Sequence, residues 1–125
     1  MSCSSNVLRT TTTNSPLDPQ TIADGENYNF VVVSSPTADT SYGVVVNVVG
    51  NGPTDADRVH SQLEFNFRDA SISAVGTVFD NQLGAFAGPL VTYTASVSGT
   101  DVLFNIDNGS AVSGDFAIYT TIYSI

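Results

Sequence analysis

The residues best suited to chemistry in this chain are few, and three of them crowd into one stretch, Asp57-Arg58-Val59-His60-Ser61. A Ser–His–Asp hydrolase needs its serine exposed on a strained turn such as a G-x-S-x-G elbow, and the sequence contains none. Closeness along the chain does not create that geometry, so His60 reads as a surface histidine beside Asp57. Zinc calls for several cysteine or histidine ligands, and the chain has one of each, Cys3 and His60, far apart. Calcium takes loop oxygens, and Asp55 and Asp57 flank Ala56 while Asp24 and Glu26 flank Gly25. Neither pair continues into the spaced acidic pattern of a dedicated loop. Asp and Asn also favour turns because they hydrogen-bond their own backbone, and that reading is preferred.

Glycoside hydrolysis requires two acids facing each other across a cleft. Glu26 and Glu64 are the only glutamates, the aspartates fall almost wholly in expected loops, and tryptophan is absent. Tyr42 and Tyr93 are the side chains that could stack on a pyranose, against the plainer expectation that they pack at the core or its rim. Asn108-Gly109-Ser110 fits a glycosylation sequon but reads as a turn. No P-loop, dinucleotide or kinase signature is present. The expectation is a protein that is not an enzyme and holds no metal or cofactor.

The elements that must position these residues follow from composition. Val, Thr and Ile number 36 of 125 residues, and Tyr and Phe add 12. Such side chains suit a pleated, half-buried surface and lose rotamer freedom in a helix. There is no Lys, and no window carries an apolar stripe at helical spacing. The chain is long enough for one domain with one real core. The predicted fold is all-β.

The formal charge of −9 sets 12 acids against Arg9, Arg58 and Arg68. Three scattered arginines cannot build the cationic face that neutralises phosphates, so nucleic acid is not expected as a partner. Anionic headgroups would repel the surface, and no stretch approaches the roughly 20 apolar residues of a spanning helix, so no membrane is expected either. A lone Cys3 in Met-Ser-Cys-Ser-Ser offers no intrachain disulfide and no signal-peptide or lipoprotein pattern. The expected setting is cytosol-like, or an exit that needs no leader.

Along the chain, residues 1–20 form a polar arm whose only apolar members are Met1, Val7, Leu8 and Leu17 beside Cys3. Such an arm orders by adding to a sheet edge or by lying on a neighbouring subunit. From residue 21 to 125, period-2 segments alternate with turn pairs. Tyr28–Val33, Tyr42–Val49, Arg58–Arg68, Ile72–Phe79 (with Gly76 as a bulge), Leu90–Val97, Val102–Ile106 and Ala111–Ile125 (with Gly114 as a bulge) are the seven strands. An eighth would come from the arm. That spacing predicts an antiparallel β-sandwich of about seven or eight strands, jelly-roll or immunoglobulin-like. The last strand is apolar on both faces, Phe116, Ile118 and Ile122 on one and Tyr119, Tyr123 and Ile125 on the other. Val7, Leu8, Tyr119, Tyr123 and Ile125 are therefore the candidate partner interface.

The chain is leaderless in appearance, free of Lys and rich in Ser, Thr, Val and Gly. It closes on Val102-Leu103-Phe104-Asn105-Ile106-Asp107-Asn108-Gly109-Ser110 and then Gly114-Asp115-Phe116-Ala117-Ile118-Tyr119. In this style it resembles small virion proteins of tailed bacteriophages, namely capsid decoration (cement) proteins and the β-modules of head or tail fibres. The resemblance implies a homo-oligomer, often a trimer, that clamps major capsid or other virion proteins, or else presents a receptor- or carbohydrate-binding tip. It implies residence in the virion after assembly in the host cytoplasm. Capsid cementing is the first expectation and a fibre binding module the second.

Overall fold

The computed structural model describes residues 19–125. Val7 and Leu8, with the rest of the expected arm before Pro19, lie outside the described residues. The remainder is the predicted antiparallel β-sandwich. Its strands are β1 (Gln20–Ile22), β2 (Asn27–Ser34), β3 (Ser41–Asn51), β4 (Arg58–Arg68), β5 (Ser71–Ile72), β6 (Gly76–Leu83), β7 (Val91–Ser98), β8 (Asp101–Asn108) and β9 (Gly114–Ser124). The larger sheet runs β1-β9-β3-β4, with β5 and β6 both pairing with β4, and the smaller runs β2-β8-β7. Seven strands are long and two are short, so the count read from periodicity holds. No described helix is long and apolar enough to cross a membrane.

Alternation decides which side chains meet. Val44, Val46 and Val48 of β3, and Val59, Leu63, Phe65 and Phe67 of β4, point between the sheets, as do Phe116, Ile118 and Ile122 of β9. Phe30, Val32, Val91, Val102, Phe104 and Ile106 answer from the smaller sheet. Phe104 is the hinge of this contact, stacked on Phe65 at 6.5 Å and on Tyr93 at 5.7 Å. Burying such aromatic side chains dominates a core of this size.

Glycines make room where β9 begins. A Cβ on Gly114 would lie 2.7 Å from Phe116 and 2.9 Å from Phe86, and one on Gly50 would lie 2.7 Å from Phe116. Gly114 thus starts the strand under a phenylalanine, rather than forming the expected bulge.

The other departures share one cause. The segment expected as a single strand Ile72–Phe79 is split, and β6 continues to Leu83 through what reads as loop. The register of β6 on β4 slips between Gln62 and Leu63, which leaves Val78 as the extra residue, not Gly76. The slip turns Asp80 and Gln82 inward. Two inward polar residues in sequence look like a loop. Here they are held by hydrogen bonds: Ser61 Oγ donates to Asp80 Oδ1 at 2.6 Å, and the Gln82 amide joins the main chain of Val91 in the opposite sheet.

Candidate functional site

The structure disperses the residues that looked most like a catalytic group. Ser61 is fully buried on the inner face of β4, while its neighbour His60 points outward and meets Phe79 edge-on at 4.9 Å. Asp57 is engaged elsewhere. Its Oδ1 accepts from Ala85 N at 2.8 Å, and its Oδ2 accepts from Thr54 N at 3.1 Å and Thr54 Oγ1 at 2.8 Å. These bonds lock the turn after β3 onto the 3-10 turn Gly84–Phe86, and they hold the carboxyl below the ordinary range, the Ala85 N–H first among them. Glu64 faces out from the larger sheet, whereas Glu26 precedes β2 of the smaller one. Asn108 is buried, donating to Ile22 O and Val112 O at 2.9 Å each, so its sequon nitrogen serves the fold. No group of three metal-ligating side chains occurs among the described residues.

The two tyrosines picked out for sugar stacking have different settings. Tyr93 faces inward on β7, its hydroxyl donating to Ser61 Oγ at 3.2 Å, and burial pushes that hydroxyl well above the usual phenol range. It remains a donor between the sheets. Tyr42 lies against Phe67 at 4.8 Å with rings 8° from parallel, and its hydroxyl accepts from Thr37 N. Its flank borders the surface depression described next.

The sandwich has two unlike outer faces. The smaller sheet presents cross-strand rows of amides and hydroxyls, Asn29–Asn105–Thr94 and Asn27–Asp107–Thr92, tied by Asn105 Nδ2 donating to both Asn27 Oδ1 and Asn29 Oδ1, with Val31 the exposed apolar residue beside them. The larger sheet presents Val49, Leu83, Tyr119, Tyr123 and Ile125, with Asn47, Gln62, Glu64 and Asn66 between them. Tyr119, Tyr123 and Ile125 are 39%, 43% and 63% exposed. An amide-covered face is well hydrated, but an aromatic one gains from being covered.

One end of that face is recessed. Gly43 of β3 stands between Tyr123 of β9 and Asn66 of β4, and a Cβ placed on it would touch nothing within 4 Å. Gly43 lines a trough of about 640 Å³, walled by Tyr123 and Ile125 on one side and by Asn66, Arg68 and Ser73 on the other. A second recess of about 550 Å³ shares Gly43, Asn66, Ser73 and Tyr123 and extends to Glu64 and Gly76. Ser73 is fixed there, its N–H donating to Asn66 O and its Oγ accepting from Asn66 N, both at 2.9 Å. The Arg68–Asp39 ion pair at 3.7 Å is exposed and contributes little. Sequence reading found Tyr123 and Ile125 but missed Gly43, Asn66 and Ser73. The signal available was a lone glycine inside a valine strand, which marks a place kept open.

No protein-family model and no curated protein matches the sequence. Among solved structures the chain is similar to the tailspike protein of Acinetobacter baumannii phage AM24, with 12% identity, a TM-score of 0.55 and coverage of 92% of this chain and 26% of that one. It is also similar to the tailspike protein of Acinetobacter phage vB_ApiP_P1, with 14% identity, a TM-score of 0.45 and coverage of 92% and 22%. The chain spans about a quarter of the length of the tailspikes it matches. At this identity, what the chain shares with the first is its fold: a β-sandwich of the kind that makes up one segment of a phage tailspike.

Proposed function

We propose that this chain is a fibre-type module of a phage virion that binds a bacterial surface saccharide in the trough over Gly43, without turning it over. The observation that carries the reading is the trough itself. An exposed tyrosine stands across an open glycine from an amide, a hydroxyl and a carboxylate, namely Tyr123, Gly43, Asn66, Ser73 and Glu64. A pyranose offers an apolar C–H face to an aromatic ring and a rim of hydroxyls to donors and acceptors, so such a site meets both. The fold shared with a tailspike segment supports a fibre role. Capsid cementing rests on the arm and the apolar C-terminal strand, and of these only the strand lies among the described residues, where the same trough uses it.

The test is binding of the full chain to an array of bacterial capsular and lipopolysaccharide glycans. Tyr123→Ala and Gly43→Val are expected to weaken binding at least about tenfold, the loss of a ring stack plus a filled recess. Tyr28→Ala, on the other sheet, should leave it unchanged. A chain that captures no glycan, or a Gly43→Val variant that binds like the original, would overturn the proposal.

A further inference from the structure

The two ends of β4 carry different chemistry on one outer face. Asn66 borders the trough at one end. His60 lies six residues away at the other, about 20 Å along the strand, and Arg58 follows it on the same face. The turn after β3 fixes this second end, where Gly52 N–H donates to Asp57 O at 2.8 Å and the Asp57 carboxylate holds Thr54 and Ala85. Register then sets two cross-strand rows, Val49–His60–Asn81 and Asn51–Arg58–Leu83. Opposing residues in such rows stand about 5 Å apart. Together they line a recess of about 570 Å³, each row bringing one basic side chain, one amide and one apolar side chain.

The polar groups of this recess are uncommitted. A chain of net charge −9 has three arginines and one histidine, and one of each stands here. Among the described residues Arg68 pairs with Asp39, while Arg58 makes no ion pair and the Asn51 and Asn81 amides have no partner. Other outward amides bond one another, as Gln62 does with Asn47 and Asn105 with Asn29. The nearby carboxylates are engaged elsewhere. Asp57 braces the turn, Asp80 accepts from Ser61 and Gln82, and Asp115, beyond Asn51 in the same row, accepts from Thr21 at 2.6 Å. Phe79 meets the His60 ring edge-on and steadies it. Val49 and Leu83, 43% and 46% exposed, supply apolar walls.

A guanidinium fork matches a carboxylate in charge and in geometry, and amide and imidazole N–H groups can complete its hydrogen bonds. A doubly charged phosphate would bring more negative charge to an acidic chain with one full cation to offset it here. The apolar walls suit the C–H face of a sugar ring. We infer that the Arg58–His60 recess is a subsite for the carboxylate of an acidic sugar. The ligand class is then a polysaccharide with spaced uronate-type residues, an acidic one at Arg58 and a neutral one at the trough, where Glu64 would repel a second charge. That one polymer spans both places rests on the saccharide reading, whereas the carboxylate subsite is tested by itself.

The test is nuclear magnetic resonance of the full chain titrated with sodium glucuronate, beside glucose, glucose phosphate and sodium acetate at matched ionic strength. Glucuronate should move the amides of Asn51, Arg58, His60 and Asn81 and leave Asn29 and Asn105 still. The other three compounds should bind at least about tenfold more weakly. Arg58→Gln should weaken glucuronate binding at least about tenfold, and Arg58→Lys should recover only part of it, because an ammonium lacks the fork. Asn81→Asp, at an exposed position, sets a like charge in the recess and should abolish binding; it stands in should the Arg58 variants fail to fold. Tyr123→Ala should leave glucuronate binding unchanged while it weakens polymer capture. Reducing the carboxyls of a captured acidic polysaccharide to alcohols should weaken its capture at least about tenfold. Acetate or glucose phosphate binding as well as glucuronate, or glucuronate shifts that survive Arg58→Gln, would overturn the inference. Capture of neutral polysaccharides alone, or capture indifferent to carboxyl reduction, would overturn it and leave the trough standing. Glucuronate shifts at the recess in a chain that captures no polymer would instead overturn the trough and keep the subsite.

Discussion

Removing the Gln82 amide should cost this domain more than removing any other single polar side chain on β6. Gln82 is 8% exposed and reaches from the larger sheet to the smaller one, where Nε2 donates to Val91 O at 2.8 Å and Oε1 accepts from Val91 N at 2.9 Å. Val91 is itself buried at 1% exposure, and the main chain of its ladder partner Asn108 bonds to Glu26 and Gly25 instead. In Gln82→Ala, a buried N–H and a buried C=O therefore lose their partner together. Each such orphan costs about 1–3 kcal/mol, so the change should destabilise by roughly 3 kcal/mol. Against a total of about 5–15 kcal/mol, that is a large fraction. In urea the midpoint should fall by about 1.5 M with an unchanged slope, and the melting temperature by about 10 °C. Gln62→Ala is the control, since Gln62 makes one 3.2 Å bond to Asn47 on the outer face and should shift stability by less than about 0.5 kcal/mol. If Gln82→Ala costs no more than Gln62→Ala, the sheets are not stapled at this edge and the reasoning fails.

Three further outcomes follow from the same geometry. Thr120 is fully buried and its Oγ1 has no partner among the described residues, so Thr120→Val should raise stability by about 1 kcal/mol in the same urea assay. Gly114→Ala should destabilise by about 1–3 kcal/mol, because its Cβ would strike Phe116 and Phe86, whereas Gly43→Ala, with nothing within 4 Å, should be tolerated. Asp57 has a folded-state pKa below its ordinary value, so its contribution is present above that value and is lost as pH falls through the folded pKa. Urea midpoints of the wild type and Asp57→Asn should therefore differ most near neutrality and converge in acid; a constant gap would contradict the assignment.

Much of the fold was legible because alternation is a strong signal where one face is dry. Leu63, Phe65 and Phe67 against Glu64, Asn66 and Arg68 could only be a half-buried strand, and β4 is one. The failures sit where polar residues turn inward. Asp80 and Gln82 look like loop until Ser61 and the Val91 main chain are seen to satisfy them, and those partners lie 19 and 9 residues away. Glycine is the usual marker of a bulge, which puts the expectation at Gly76, whereas the structure slips at Val78 and so points Gln82 at the opposite sheet. At the trough, Tyr123 and Ile125 stand out as apolar residues on the wrong face. Gly43 acquires meaning only once β3 is known to lie between β9 and β4. A recess lined by residues from several strands leaves little trace in a single sequence.

The central claim is that the face over Gly43 is the contact site, and the most direct measurement is nuclear magnetic resonance of the full chain titrated with a saccharide it captures. Amide shifts should move at Gly43, Asn66, Ser73 and Tyr123 while Asn29, Thr94 and Asn105 on the opposite face stay still. Shifts confined to the smaller sheet, or spread evenly over both faces, would contradict the account.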